Sequence, residues 1–332
     1  MPPAHIIDKF GRPITYLRLA VTDRCNLRCF YCMPEEGIKL LPKKEMLTYE
    51  EMQRLIALFT DMGIEKLRIT GGEPFVRKDM LQFLEDTRAN KALKELHITT
   101  NGVLTAQYVD QLKALNITSI NLSLDTLDRQ RFAQITRRDE LPKVLETLDL
   151  LLKANIKVKI NMVVMEGKNT QDIVPMAQLA SDLPVSVRFI EEMPFNGTSA
   201  YASKLTWDHN RILGTLTAAF PKLESLPTPT NSTASLYQIP GFNGNLGIIA
   251  AYTRTFCGSC NRIRVTPQGI LKTCLYDHGS LDLKVLLRDQ TSDEDIKSII
   301  QNTIINRHKD GWAAQASRPQ QQFSESMSSI GG

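Results

Sequence analysis

Long hydrophobic runs are absent from this chain. Nowhere do about 18 apolar residues follow one another, which excludes a membrane-spanning helix by hydropathy, and the opening MPPAHIIDKFGR lacks the apolar core of a signal peptide. Charge of one sign is not in excess either. Forty Lys and Arg against 36 Asp and Glu leave +4, too mild to argue for nucleic acid or membrane, though compatible with a small phosphorylated substrate. No repeat period or long low-complexity tract occurs, which excludes a solenoid. Histidine is scarce, at five residues, and those nearest the first cysteines are His5 and His97. The chain reads as soluble and cytoplasmic, with no membrane or nucleic-acid partner. In that reducing setting clustered cysteines are metal ligands or redox centres more often than disulfides.

What is present is six cysteines in two triplets: Cys25, Cys29 and Cys32 in CNLRCFYC, and Cys257, Cys260 and Cys274 in CGSCNRIRVTPQGILKTC. A structural zinc site takes four ligands and disulfides take pairs. Three thiolates on an iron–sulfur cluster leave one iron open to bind a molecule. The first triplet would span up to roughly 25 Å if extended, so its thiols converge only if the segment curls into a loop. In the second, Pro267-Gln268-Gly269 predicts a hairpin turn that returns Cys274 beside Cys260. Arg262 and Arg264 then share one strand face, about 7 Å apart, as a forked anion site. A three-cysteine zinc knuckle completed by His278 is the competing reading of this hairpin.

The chain from 14 to 191 alternates short β-branched strands with amphipathic helices. TYLRLAVT, KLRIT, LHITT, INLSLD, VKINMVV and VSVRFIEE predict six strands. Thr48 and Glu51 form a capping box for a helix whose apolar face is Met52, Leu55, Ile56, Phe59 and Met62, stopped by Gly63, and Thr105 starts a short helix to about Leu115. Six βα units imply a parallel sheet. The unusual residues follow the C-terminal ends of several strands, as in barrel-type sites, and six units leave such a barrel open. The expected class is therefore α/β, a partial six-unit (β/α) TIM-type barrel over residues 1–225. Residues 226–332 are expected to cover the open side as short strands and loops, with a polar tail from about Arg318. Arg18, Arg68 and Lys159 lie inside apolar strand patterns. They either pair with carboxylates such as Glu73 or Glu191 or face a cavity that receives phosphates.

CNLRCFYC followed by GGEP resembles the radical S-adenosylmethionine enzymes. The resemblance implies a 4Fe-4S cluster on Cys25, Cys29 and Cys32 whose open iron chelates S-adenosylmethionine, and reduction of that sulfonium to a 5′-deoxyadenosyl radical that abstracts hydrogen. The second triplet with Arg262-Ile263-Arg264 and the terminal Gly331-Gly332 extend the likeness from about Arg12 to the chain end. The whole is similar to the GTP 3′,8-cyclase family of molybdenum cofactor biosynthesis. That implies a second 4Fe-4S cluster on Cys257, Cys260 and Cys274 that binds the purine of GTP, and a product with C3′ joined to C8. It further implies Tyr31, Gly72, Ser123 and Met193 as S-adenosylmethionine contacts, and Arg18, Arg68, Thr99, Lys159, Arg262, Ile263 and Arg264 as substrate contacts. The flexible tail would bring Gly331 and Gly332 into the active site as catalytic residues. The implied partners are a flavodoxin- or ferredoxin-type electron donor and, by product transfer, cyclic pyranopterin monophosphate synthase, with a homodimer as a compatible assembly.

Two other functions remain open on sequence. A different radical enzyme with an auxiliary cluster could modify a peptide. A zinc-stabilised nucleic-acid-binding protein could use Arg262, Arg264 and Lys272, although the chain lacks the basic stripe and interleaved aromatics expected of one.

Overall fold

The computed structural model describes residues 6–198, 205–319 and 325–332. Six parallel strands follow one another in space as in sequence: β1 (Tyr16–Ala20), β2 (Lys66–Thr70), β3 (Glu95–Thr100), β4 (Ser119–Ser123), β5 (Val158–Val164) and β6 (Ser186–Glu191). Their apolar side chains, among them Leu17, Leu19, Ile69, Leu96, Ile98, Ile120, Ile160 and Val187, merge with the helix faces into one core. Helix α1 (Tyr49–Asp61) starts with the expected capping box, and Met52, Leu55, Ile56, Phe59 and Met62 are buried. Thr105 opens a 3-10 turn that passes into a helix over Val109–Ala114. It makes no side-chain cap, because its hydroxyl bonds Thr100 instead.

The C-terminal region does more than cover a flank. Its strands are β7 (Glu224–Leu226), β8 (Ala234–Gln238), β9 (Asn245–Ile249), β10 (Arg262–Val265), β11 (Ile270–Lys272) and β12 (Leu281–Asp282). They extend the sheet on both edges, in the order β12-β11-β10-β1-β2-β3-β4-β5-β6-β9-β8-β7. Strand β10 runs parallel to β1 and β9 parallel to β6, so the parallel run is lengthened without closing into a barrel. The description of this region as short strands and loops needs correction. It also carries helices at Leu283–Arg288, α2 (Asp293–Ile305) and Gly311–Ala316. For α2 the signal is local: Ser292 caps, three acids occupy the first turn, and Ile296, Ile300 and Ile304 form a buried stripe. Among the described residues no helix is long and apolar enough to cross a membrane.

Candidate active site

A cavity of about 790 Å³ lies along the inner face of the sheet, and all six cysteines border it. Cys25, Cys29 and Cys32 sit on the loop after β1. That loop is tied to the turn after β2 by Gly72 N–H donating to Thr22 O and Glu73 N–H to Arg24 O, both at 2.8 Å. The approach explains Gly72 physically, since a Cβ there would collide with Arg24 O. The crowding partner is the chain's own backbone. Opposite, Gly269 (φ +87°) turns the β10–β11 hairpin, and the Arg264–Lys272 register carries Cys274 back toward Cys260. Asp277 Oδ2 accepts from Thr273 N–H (2.8 Å) and Cys274 N–H (2.9 Å), fixing that turn. His278 is exposed and outside the cavity lining, which removes the fourth ligand of the zinc-knuckle reading.

All six thiols are free. Among the described residues no three His, Cys, Asp or Glu side chains converge tightly enough for a single metal ion. Each triplet instead borders open space, which suits a multi-iron cluster whose cysteines bind different irons. Burial raises Cys25 to about 11, Cys29 well above its ordinary value and Cys32 to about 12, with Glu73, Asp125 and the neighbouring thiols adding repulsion. Burial also raises Cys257, and Cys274 to about 12. Cys260 differs: burial acts upward, but Arg307 and Arg262 outweigh it and bring the thiol to about 7. Thiols so buried ionise when a cation sits among them, and an iron core fits both triplets on that ground.

Strand register lines up the cations. Arg264 on β10, Arg18 on β1 and Arg68 on β2 occupy one row across three adjacent strands, and all three face the cavity. Like charges at neighbouring strand positions repel. Neither Glu73 nor Glu191 relieves them. Glu73 accepts from Phe75 N–H (3.1 Å), Thr100 Oγ1 (2.9 Å) and Asn101 N–H (2.7 Å), and Glu191 accepts from the backbones of His209, Tyr252 and Thr253. Arg68 Nε instead donates to the Tyr16 hydroxyl at 2.5 Å. Burial acts to raise that phenol, but Arg68 and Arg18 dominate and lower it to about 7. Lys159, lowered by burial and by Arg188 to about 8, also lines the cavity. Arg188, on β6, joins the cation set. Sequence reasoning passed over it although it alternates inward with Ser186 and Ile190. Several lining atoms are buried without a partner: Arg18 Nε, Arg262 Nη1, Thr99 Oγ1, and the amide oxygens of Asn121 and Asn161. They suit a ligand with phosphates and hydroxyls.

Tyr31, Gly72, Ser123 and Met193 also border the cavity, and Tyr31 is held by its hydroxyl donating to Asp125 Oδ2 at 2.8 Å. Ile263 is placed differently from Arg262 and Arg264. Strand alternation sends its side chain into the core, fully buried and away from the cavity, so only its backbone faces neighbouring strands. The chain end enters the site. Gly332 O accepts from Arg18 Nη2 at 2.5 Å and Gly331 O from Arg264 Nη1 at 2.6 Å. Gly331 has φ +81°, and a Cβ would stand 2.7 Å from Thr70 Oγ1, so the position has room only for glycine. Behind it, Ser326 Oγ donates to Cys32 O at 2.7 Å, and Glu325 pairs with buried Lys272 at 2.7 Å and Arg318 at 2.9 Å.

The sequence pattern of the radical SAM superfamily matches residues 19–180, and that of Molybdenum Cofactor Synthesis C matches 185–312. A GTP 3′,8-cyclase of Desulforamulus reducens is 39% identical over 316 residues, 92% of this chain and 97% of that protein. The chain belongs to the GTP 3′,8-cyclase family of radical SAM enzymes. The family's mitochondrial GTP 3′,8-cyclase of Arabidopsis thaliana is 40% identical, covering 89% of this chain and 76% of that one. Molybdenum cofactor biosynthesis protein 1 of Bos taurus is 41% identical over 90% of this chain and 47% of its own length. The chain thus spans about half the length of several curated relatives that it matches. Streptococcus suis SuiB shares the fold, with TM-score 0.65 at 14% identity over 97% of this chain and 78% of that one. The family's cofactors, iron–sulfur clusters and S-adenosylmethionine, are this chain's cofactors.

Proposed function

We propose that this chain converts GTP to (8S)-3′,8-cyclo-7,8-dihydroguanosine 5′-triphosphate in molybdenum cofactor biosynthesis. The observation that carries the reading is a single cavity with a thiol triplet on each of two walls and a row of guanidiniums beside them. Cys25, Cys29 and Cys32 would hold one 4Fe-4S cluster and Cys257, Cys260 and Cys274 the other. Tyr31, Gly72, Ser123 and Met193 would contact S-adenosylmethionine. When bound, that cofactor would supply, on one-electron reduction, the 5′-deoxyadenosyl radical that takes hydrogen from C3′; C3′ would then bond to C8 as the C8–N7 double bond opens, with one electron from the donor and one proton completing N7–H.

The chain's own work is positioning. Arg18, Arg68, Arg188, Lys159, Arg262 and Arg264 would clamp the triphosphate, and an anion there relieves their mutual repulsion. The orphaned Thr99 hydroxyl lies on the same wall, ready for a polar group of the nucleotide. Gly331 and Gly332, bonded to two of these arginines, would act as catalytic residues at the edge of the reaction chamber. The division into a barrel over 1–225 and a second-cluster region over 226–332, a cytoplasmic setting, a flavodoxin- or ferredoxin-type donor, product transfer to cyclic pyranopterin monophosphate synthase and a homodimer belong to the same proposal.

Anaerobically reconstituted protein given S-adenosylmethionine, dithionite and GTP deuterated at C3′ tests it. Deuterium should appear in 5′-deoxyadenosine, in step with a cyclised isomer of GTP. Slow, undeuterated 5′-deoxyadenosine with no new nucleotide would point to a different radical enzyme, such as a peptide modifier.

A further inference from the structure

Arg307 follows helix α2 and is 4% exposed, yet its guanidinium reaches the second triplet. Nη1 donates to Cys260 O at 3.2 Å and Arg262 O at 3.3 Å, and Nη2 donates to Cys260 Sγ at 3.6 Å. Its Nε faces Asp8 Oδ2 at 3.7 Å. The same carboxylate oxygen accepts from Arg12 Nε at 2.6 Å, and Arg12 Nη1 donates to Cys257 O at 3.0 Å. One buried aspartate therefore bonds Arg12 and lies at ion-pair distance from Arg307, and these two arginines hold the two cysteines of the CGSC turn. Arg254 adds a third guanidinium. It lies 3.5 Å over the Tyr276 ring and 3.8 Å over Trp312, with Nε and Nη1 buried and unpartnered.

The second triplet, although Asp277 and Asp310 also stand near it, is the richer in guanidiniums; the first has few. The first triplet's charged neighbours are Glu73 and Asp125, with Arg28 as the opposing cation. Positive charge and N–H donors at cluster sulfur favour the reduced, more negative cluster, and nearby carboxylates disfavour it.

On the reading that each triplet holds a 4Fe-4S cluster, we propose that Arg307, oriented by Asp8, is a positioning residue of the second cluster: it fixes Cys260 and sets that cluster's reduction potential above that of the first. The residue touches neither nucleotide nor radical in this assignment. Its effect passes through Cys260.

The test is an EPR-monitored redox titration of the full holoprotein, with iron counted per chain. The wild type should show two one-electron steps. Arg307→Gln should shift the higher step downward, lowering the reduced-to-oxidised ratio at fixed potential about tenfold, or ~59 mV, and leave the lower step in place. Arg307→Lys, which keeps charge but not the fork, should shift it less. About eight irons with both steps unmoved in Arg307→Gln overturns the proposal. Should that variant hold only about four irons, the apo protein decides: an unchanged Tm supports positioning at the cluster, and a lowered Tm assigns Arg307 to folding and overturns it. A wild type with about four irons fails earlier, at the reading of the second triplet, and overturns the proposal with it.

Discussion

The two cysteine triplets present the same ligand chemistry with different numbers of guanidiniums around them. The first is local: three thiols on one loop, packed against the Gly71-Gly72 turn, with carboxylates Glu73 and Asp125 nearby. The second is assembled from distant chain, with Cys257 and Cys260 on one turn, Cys274 returned by a hairpin, Arg254 just before the turn, and Arg12 and Arg307 arriving from far along the sequence on either side. Thiolate clusters differ in reducing power according to such surroundings. A buried pocket with few cations suits a strong one-electron donor, and one richer in guanidiniums suits a cluster that binds a substrate and stays put.

The largest expected effect comes from removing either triplet. Alanine at Cys25, Cys29 and Cys32, or at Cys257, Cys260 and Cys274, should each take iron from about eight to about four per chain and abolish cyclisation. Cyclisation surviving without the second triplet would break the division of roles. Gly72→Ala tests the local triplet through backbone alone. Its Cβ has no space beside Arg24 O, so we expect a loss of about 3 kcal/mol in stability and selective loss of the first cluster, seen as lower Tm and iron content.

A smaller effect sharpens the cation row beside the triplets. Tyr16 titrates near 7 and Lys159 near 8 in the free protein, and a bound triphosphate favours the protonated form of each. Binding therefore takes up protons as pH rises through those values, and GTP affinity should fall by up to about tenfold per pH unit for each group. Calorimetric Kd values from pH 6 to 9 check this. Tyr16→Phe should flatten the lower part of the fall and Lys159→Arg the upper, with the nucleotide's own titration common to all three proteins. The smallest effect is a control remote from both triplets: Thr48→Ala removes the capping box of α1 and should cost about 1 kcal/mol in denaturant unfolding while leaving iron content unchanged.

Much of the barrel was legible because its signals are local. Six β-branched runs became β1–β6, and the capping box at Thr48 opened its helix. The α2 signal is equally local, Ser292 followed by acids and an isoleucine stripe, but it is short and set among polar, turn-forming residues that mask it. Arg262 and Arg264 could be paired on one face from their spacing, and the same alternation removes the Ile263 side chain from the cavity. Arg188 sits in an apolar strand pattern as Arg18 and Arg68 do, whereas Arg254, Arg307 and Asp8 carried no comparable signal. Each of these latter residues looks like an ordinary surface charge until remote segments pack around it.

By itself the sequence determined the ligand inventory and the repeating unit: six thiols in two spacings, βα alternation, and glycines where backbones must approach closely. These follow from covalent spacing and near-neighbour sterics, which act along the chain. Only tertiary structure decided that both triplets share one cavity, that β9 and β10 lengthen the sheet from either edge, and that Arg264, Arg18 and Arg68 fall into one row. Strand register across non-consecutive segments is set by burial of the whole sheet, and no local run of residues encodes it.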